Sequence, residues 1–126
     1  VGAKRAVLLP VSAPFHCALI EPAAERMALA LAEVDIAALA LPLVSNVLAS
    51  AVSDPAMIRS LLVEQVTGAV RWRESVMYLA SEGVTEVWEI GAGKALSGMI
   101  RRIDRALTCQ AIGSPENIAK ALALKA

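Results

Sequence analysis

Val11-Ser12-Ala13-Pro14-Phe15-His16-Cys17 carries the only histidine among 126 residues, and the patterns flanking it decide the fold class. Before it, Ala6-Val7-Leu8-Leu9-Pro10 is an apolar run that predicts a buried strand from Lys4 to Leu9. After it, Ile20, Ala23, Met27, Ala30, Leu31 and Val34 recur at helical spacing, with Glu21, Glu25, Arg26 and Glu33 off that stripe. A helix from Leu19 to Val34 is expected, starting where Pro22 falls in its first turn. A turn between a strand and a helix holds a side chain accessible while its rigid neighbours fix the backbone. Histidine can take and return a proton near neutral pH, so His16 is a candidate general base; a surface or capping histidine is the plainer alternative.

The same alternation continues along the chain. Leu41 to Val47 predicts a short extended segment, and Asp54-Pro55 is a helix start with Asp54 as N-cap. That helix is expected to reach Gln65 or Val66, burying Ile58, Leu61 and Leu62. After a turn at Thr67-Gly68, a helix from Arg71 presents Trp72, Val76, Leu79 and Ala80 inward and stops at Gly83. Val84 to Ile90 reads as a strand, and Lys94 to Asp104 as a helix with Leu96, Met99, Ile100 and Ile103 inward. A last strand, Leu107 to Ile112, precedes a helix capped by Ser114-Pro115 with Ile118, Ala121 and Leu122 inward. Alternating helices and strands with short connections predict an α/β layer with a largely parallel sheet.

Composition narrows the function classes. Apolar residues make up 57% of the chain, yet no window of about 18 residues lacks charges or turn residues, so no membrane span is expected. Aromatic residues are only 3%, so the core must be aliphatic. Twelve basic and twelve acidic residues cancel, which argues against bulk nucleic-acid or anionic-membrane binding. Cys17 and Cys109 make neither a disulfide framework nor a zinc site, and a reducing cytoplasm is the expected location. The chain opens on Val1 just before a strand, as a piece of something longer would.

Gly91-Ala92-Gly93-Lys94 lies between strand and helix and invites a phosphate-loop reading. A Walker loop would need glycine where Trp88 stands and Ser or Thr where Ala95 stands; a dinucleotide fingerprint would need glycine at Leu96. Both fail, leaving a tight turn. A metal site lacks ligands around His16, and Cys17 is badly placed as a nucleophile for its sequence neighbour. No Gly-x-Ser-x-Gly elbow occurs, so a nucleophile served by His16 would lie outside these residues. Lys4 with Arg5, Arg71 with Arg73, and Lys94 with Arg101, Arg102 and Arg105 are solvated faces or docking patches for an acidic partner.

Several segments together resemble a family. Leu9-Pro10-Val11-Ser12-Ala13-Pro14-Phe15-His16-Cys17-Ala18-Leu19 with Pro22-Ala23-Ala24 is similar to the catalytic-histidine segment of bacterial malonyl-CoA:acyl-carrier-protein transacylases. The resemblance extends through Pro42-Leu43-Val44-Ser45-Asn46-Val47, Leu62-Val63-Glu64-Gln65, Val70-Arg71-Trp72 and Glu89-Ile90-Gly91-Ala92-Gly93-Lys94-Ala95-Leu96-Ser97-Gly98. It implies the C-terminal half of an enzyme about twice this length, an α/β-hydrolase-like core with an inserted ferredoxin-like small subdomain. Residues 1–12 would be the terminal strand of that subdomain, and residues 13–126 the C-terminal half of the core.

The resemblance also implies roles. His16 would be the general base of a ping-pong transfer of malonyl from CoA to the phosphopantetheine thiol of acyl carrier protein, through a malonyl-serine ester. The serine, the arginine that grips the malonyl carboxylate and the oxyanion-hole amides would belong to the missing N-terminal part. Gln65 matches the position whose backbone carbonyl orients the imidazole, and Asn46 a position in the pocket wall. Phe15 matches a position where a bulky residue goes with malonyl over methylmalonyl. Lys4 and Arg5 are the expected contact with the acidic carrier protein; no bound cofactor and no metal are implied. A polyketide-synthase acyltransferase domain and a non-catalytic carrier-binding module are the alternatives.

Overall fold

Val87-Trp88-Glu89-Ile90 and Cys109-Gln110-Ala111-Ile112 each lead directly into a glycine. These runs end the only five-residue strands among the described residues of the structure, a computed structural model describing residues 2, 6–8 and 10–123. In chain order the elements are a 3₁₀ turn Ala18–Ile20, α1 Glu21–Ala32, β1 Leu43–Val44, β2 Ala51–Val52 and α2 Pro55–Thr67. They continue with α3 Trp72–Ser81, β3 Glu86–Ile90, α4 Ala95–Ile103, β4 Thr108–Ile112 and α5 Pro115–Ala123. The chain divides into two compact units, residues 1–43 with 52–70 and residues 44–51 with 71–126.

In the second unit β3 and β4 pair in parallel, from Glu86 opposite Thr108 to Ile90 opposite Ile112. Parallel neighbours need a crossover, and α4 supplies it. The core gathers Val76 of α3, Ile100 of α4, Leu107 and Cys109, with Trp72, Ala80, Val84, Val87 and Ile103 packed around it. Val76 and Ile100 are each 1% exposed. α3 ends at Ser81, and Gly83 turns the chain at φ +83°, a left-handed backbone that a side chain would strain.

In the first unit α1 packs on α2, with Ala24 buried on one helix and Ile58 and Leu61 on the other. Asp54 caps α2 as expected, its carboxylate accepting from the Ala56 and Met57 amides at 3.2 Å each. The Arg59 guanidinium donates to the Val34 carbonyl at 2.8 Å.

Several expectations need correction. Ala6–Leu8 and Pro10 form no strand, while Lys4 and Leu9 lie outside the described residues. The α1 stripe is not the buried face: Met27 and Val34 are exposed, and Ala24 is the residue covered. Leu96 and Met99 of α4 and Ile118 and Leu122 of α5 are exposed, while Ser97, Ile100 and Ala121 are inside. Leu62 is half-buried. Periodicity identifies residues that share a helix face; it does not tell which part of that face a neighbour covers. Ser97 takes an inward place because its hydroxyl is fully engaged, donating to Glu89 and accepting from the Cys109 thiol at 3.2 Å.

Candidate active site

The site begins with a tight local fold. Pro14 restricts the backbone before Phe15, whose amide donates to the Ala13 carbonyl at 2.9 Å. His16 follows at φ +56°, a left-handed conformation that costs a non-glycine residue about 1–2 kcal/mol. Cys17 directs its thiol back to the Pro14 carbonyl at 3.1 Å, away from the imidazole's work, as its place in the turn implied. The Ile20 amide then closes on the Cys17 carbonyl at 3.2 Å and starts the 3₁₀ turn into α1.

What offsets the strain at His16 lies at the other end of the first unit. Its Nδ1 is 3.1 Å from the Gln65 carbonyl and 3.1 Å from the Gly68 carbonyl. Gln65 is in the last turn of α2, where carbonyls lack intrahelical partners and carry the negative end of the helix dipole. The ring therefore caps the helix. Because a carbonyl can only accept, Nδ1 must hold the proton, which leaves Nε2 of a neutral ring as a bare acceptor. Among the described residues no hydrogen bond engages Nε2. An exposed imidazole in one fixed tautomer, with its lone pair outward, can accept a proton from an alcohol or thiol placed against it.

The structure thus brings His16 and Gln65 together through the Gln65 main chain. Phe15 precedes His16 and is 63% exposed. Asn46 belongs to the second unit, half-buried in the turn 45–50, where its carbonyl accepts from the Arg71 amide at 3.3 Å. The Arg71 guanidinium also donates to the carbonyls of Val47 and Leu48 at 3.1 Å and pairs with Glu74. Lys4 and Arg5 lie outside the described residues. Gly68 was not foreseen beyond its place in a turn, since an orienting carbonyl leaves no mark in the side-chain code.

The Gly91–Lys94 loop is closed to phosphate at α4. Glu89 accepts from the Leu96 and Ser97 amides at 3.0 and 2.8 Å and from the Ser97 hydroxyl, filling the helix start with protein carboxylate. The Ser97 hydroxyl, then the Ser97 and Leu96 amides, hold the Glu89 carboxyl below the usual carboxylate range. Among the described residues no group of three histidine, cysteine, aspartate or glutamate side chains could hold a metal ion. No helix among them is long and apolar enough to cross a membrane.

No protein-family model matches the chain. The malonyl CoA-acyl carrier protein transacylase of Salmonella typhimurium is 44% identical over 121 residues, covering 96% of this chain and 39% of its own length. The crystal structure of an acyl-carrier-protein-S-malonyltransferase from Bartonella henselae superposes with a TM-score of 0.89 at 51% identity, covering 98% of this chain and 39% of that one. A malonyl-transacylase solved in complex with a type II polyketide synthase acyl-carrier protein matches with a TM-score of 0.88 at 37% identity, over 98% of this chain and 40% of its own. The chain spans about 40% of the length of the relatives it matches. The neighbours share the α/β arrangement of helices and parallel strands seen here. Across that span this chain is similar to the malonyl-CoA:acyl-carrier-protein transacylases.

Proposed function

We propose that this chain carries the general base of an enzyme that moves malonyl from CoA to the phosphopantetheine thiol of acyl carrier protein. The observation that carries the reading is the imidazole of His16, held through Nδ1 by main-chain carbonyls with Nε2 left to accept. In the first half-reaction Nε2 takes the proton of a serine hydroxyl as its oxygen attacks the malonyl thioester, then returns it to the departing CoA thiolate. In the second it takes the proton of the carrier thiol, which attacks the malonyl-serine ester, and returns it to the serine oxygen. Neutral carbonyls suffice as orienters, since the imidazolium exists only transiently beside the negative end of α2.

In this reading the serine, the malonate-binding arginine and the oxyanion amides lie in the part of the relatives' length that the chain does not span. The core is the C-terminal half of an α/β-hydrolase-like subdomain, residues 1–12 end a ferredoxin-like small subdomain, and the enzyme works in the cytoplasm. Phe15 borders the acyl group, and Lys4 with Arg5 meets the acidic carrier. A polyketide-synthase setting is the second reading, favoured by the neighbour solved with a polyketide carrier protein.

The test supplies the remaining part of the enzyme and follows malonyl transfer to carrier protein with wild-type chain and His16→Ala. Loss of a general base predicts a rate about 10²–10⁴-fold lower. Equal rates would remove His16 from the chemistry.

A further inference from the structure

We infer that Gly68 is a positioning residue: its carbonyl is a second acceptor for the His16 Nδ1 proton, and its missing side chain is what lets it stand there. The inference rests on the reading of His16 as the base and adds a residue to that site. α2 ends at Thr67, and the Gly68 amide still closes on the Glu64 carbonyl at 2.9 Å. Immediately afterwards the backbone leaves the helix, with Gly68 at φ −74° and ψ +154°. Its amide therefore belongs to the helix while its carbonyl swings toward the imidazole, 3.1 Å from Nδ1.

These dihedrals are open to any residue, so conformational freedom does not explain the glycine. Close approach does: a Cβ at position 68 would lie 2.9 Å from the Glu64 carbonyl oxygen, nearer than such atoms come. An alanine would have to break the Gly68–Glu64 bond or rotate the peptide that aims the carbonyl. Gln65 alone leaves the ring free to pivot about a single hydrogen bond. With two acceptors sharing one proton in a three-centre hydrogen bond, the ring plane is set and the Nδ1–H tautomer is favoured further.

Because His16 is the chain's only histidine, selective ¹⁵N-histidine labelling of this chain reports one imidazole, even after the unlabelled remainder of the enzyme is added. The ring ¹⁵N shifts give the ratio of Nδ1–H to Nε2–H tautomers. Gly68→Ala is expected to raise the Nε2–H share about two- to tenfold, the worth of one neutral hydrogen bond. kcat should fall by the fraction of the Nδ1–H tautomer that is lost, with KM for malonyl-CoA unchanged. Replacing exposed Ala69 by lactic acid turns the Gly68–Ala69 peptide bond into an ester, weakening the Gly68 carbonyl without adding a Cβ. It should move the same two readouts in the same direction, and it decides the matter if Gly68→Ala does not fold. A wild-type tautomer ratio and kcat in the ester variant, with His16→Ala inactive, would overturn the role of Gly68 and leave the base intact. A fully active His16→Ala would instead overturn the base reading, and the tautomer ratio would still decide whether Gly68 holds the ring.

Discussion

The backbone at His16 can be separated from its chemistry by comparing His16→Gly with His16→Ala. Both variants remove the imidazole and both lose the bonds to the Gln65 and Gly68 carbonyls, so those terms cancel. What remains is the conformation at φ +56°. Alanine retains the left-handed penalty of about 1–2 kcal/mol. Glycine escapes it but loses about 0.4–1 kcal/mol through the greater freedom of its unfolded chain. His16→Gly should therefore be the more stable of the two by about 0.5–1 kcal/mol. Equilibrium urea unfolding would read this as a midpoint higher by a few tenths of a molar at unchanged slope. Acyl transfer should be lost equally, about 10²–10⁴-fold in each. An alanine variant as stable as the glycine variant would refute the argument, because position 16 would then not be held left-handed.

Three further outcomes follow from the same geometry. Glu89→Gln should destabilise the second unit at neutral pH; since the folded-state carboxyl titrates below its unfolded value, that contribution is complete above about pH 4.3 and fades as acid protonates it, so parallel pH–stability curves for the two proteins would contradict the cap. Ile100→Ala, at a side chain 1% exposed, should cost about 2–5 kcal/mol in thermal or denaturant unfolding, and a cost under about 1 kcal/mol would mean α4 is not anchored there. Phe15→Ser should lower the malonyl-to-methylmalonyl rate ratio, by no more than the roughly 10–200-fold that one methyl group commands, and an unchanged ratio would take the ring out of the acyl pocket.

Some features were legible because they are local. Asp54-Pro55 declares a capped helix start through side chains that satisfy their own neighbouring amides, and the structure has that cap. The absence of a phosphate-loop pattern around Gly91–Lys94 agrees with a helix start already occupied by Glu89. His16 stood out because histidine occurs once. The inward faces of α1, α4 and α5 are less legible, since Met27, Met99 and Leu122 have the right spacing and yet stay exposed.

By itself, then, the order of residues determined where the helices form, which turn holds the imidazole and which loop lacks a phosphate-binding pattern. All of these depend on contacts within a few positions along the chain. Tertiary structure alone decided that the backbone at His16 stands left-handed, that its Nδ1 meets the Gly68 carbonyl from 52 positions away beside the Gln65 carbonyl that the resemblance implied, and that Nε2 is the nitrogen left without a partner among the described residues. Backbone carbonyls are chemically alike at every residue. Only the path of the chain in space selects which two of them face a histidine.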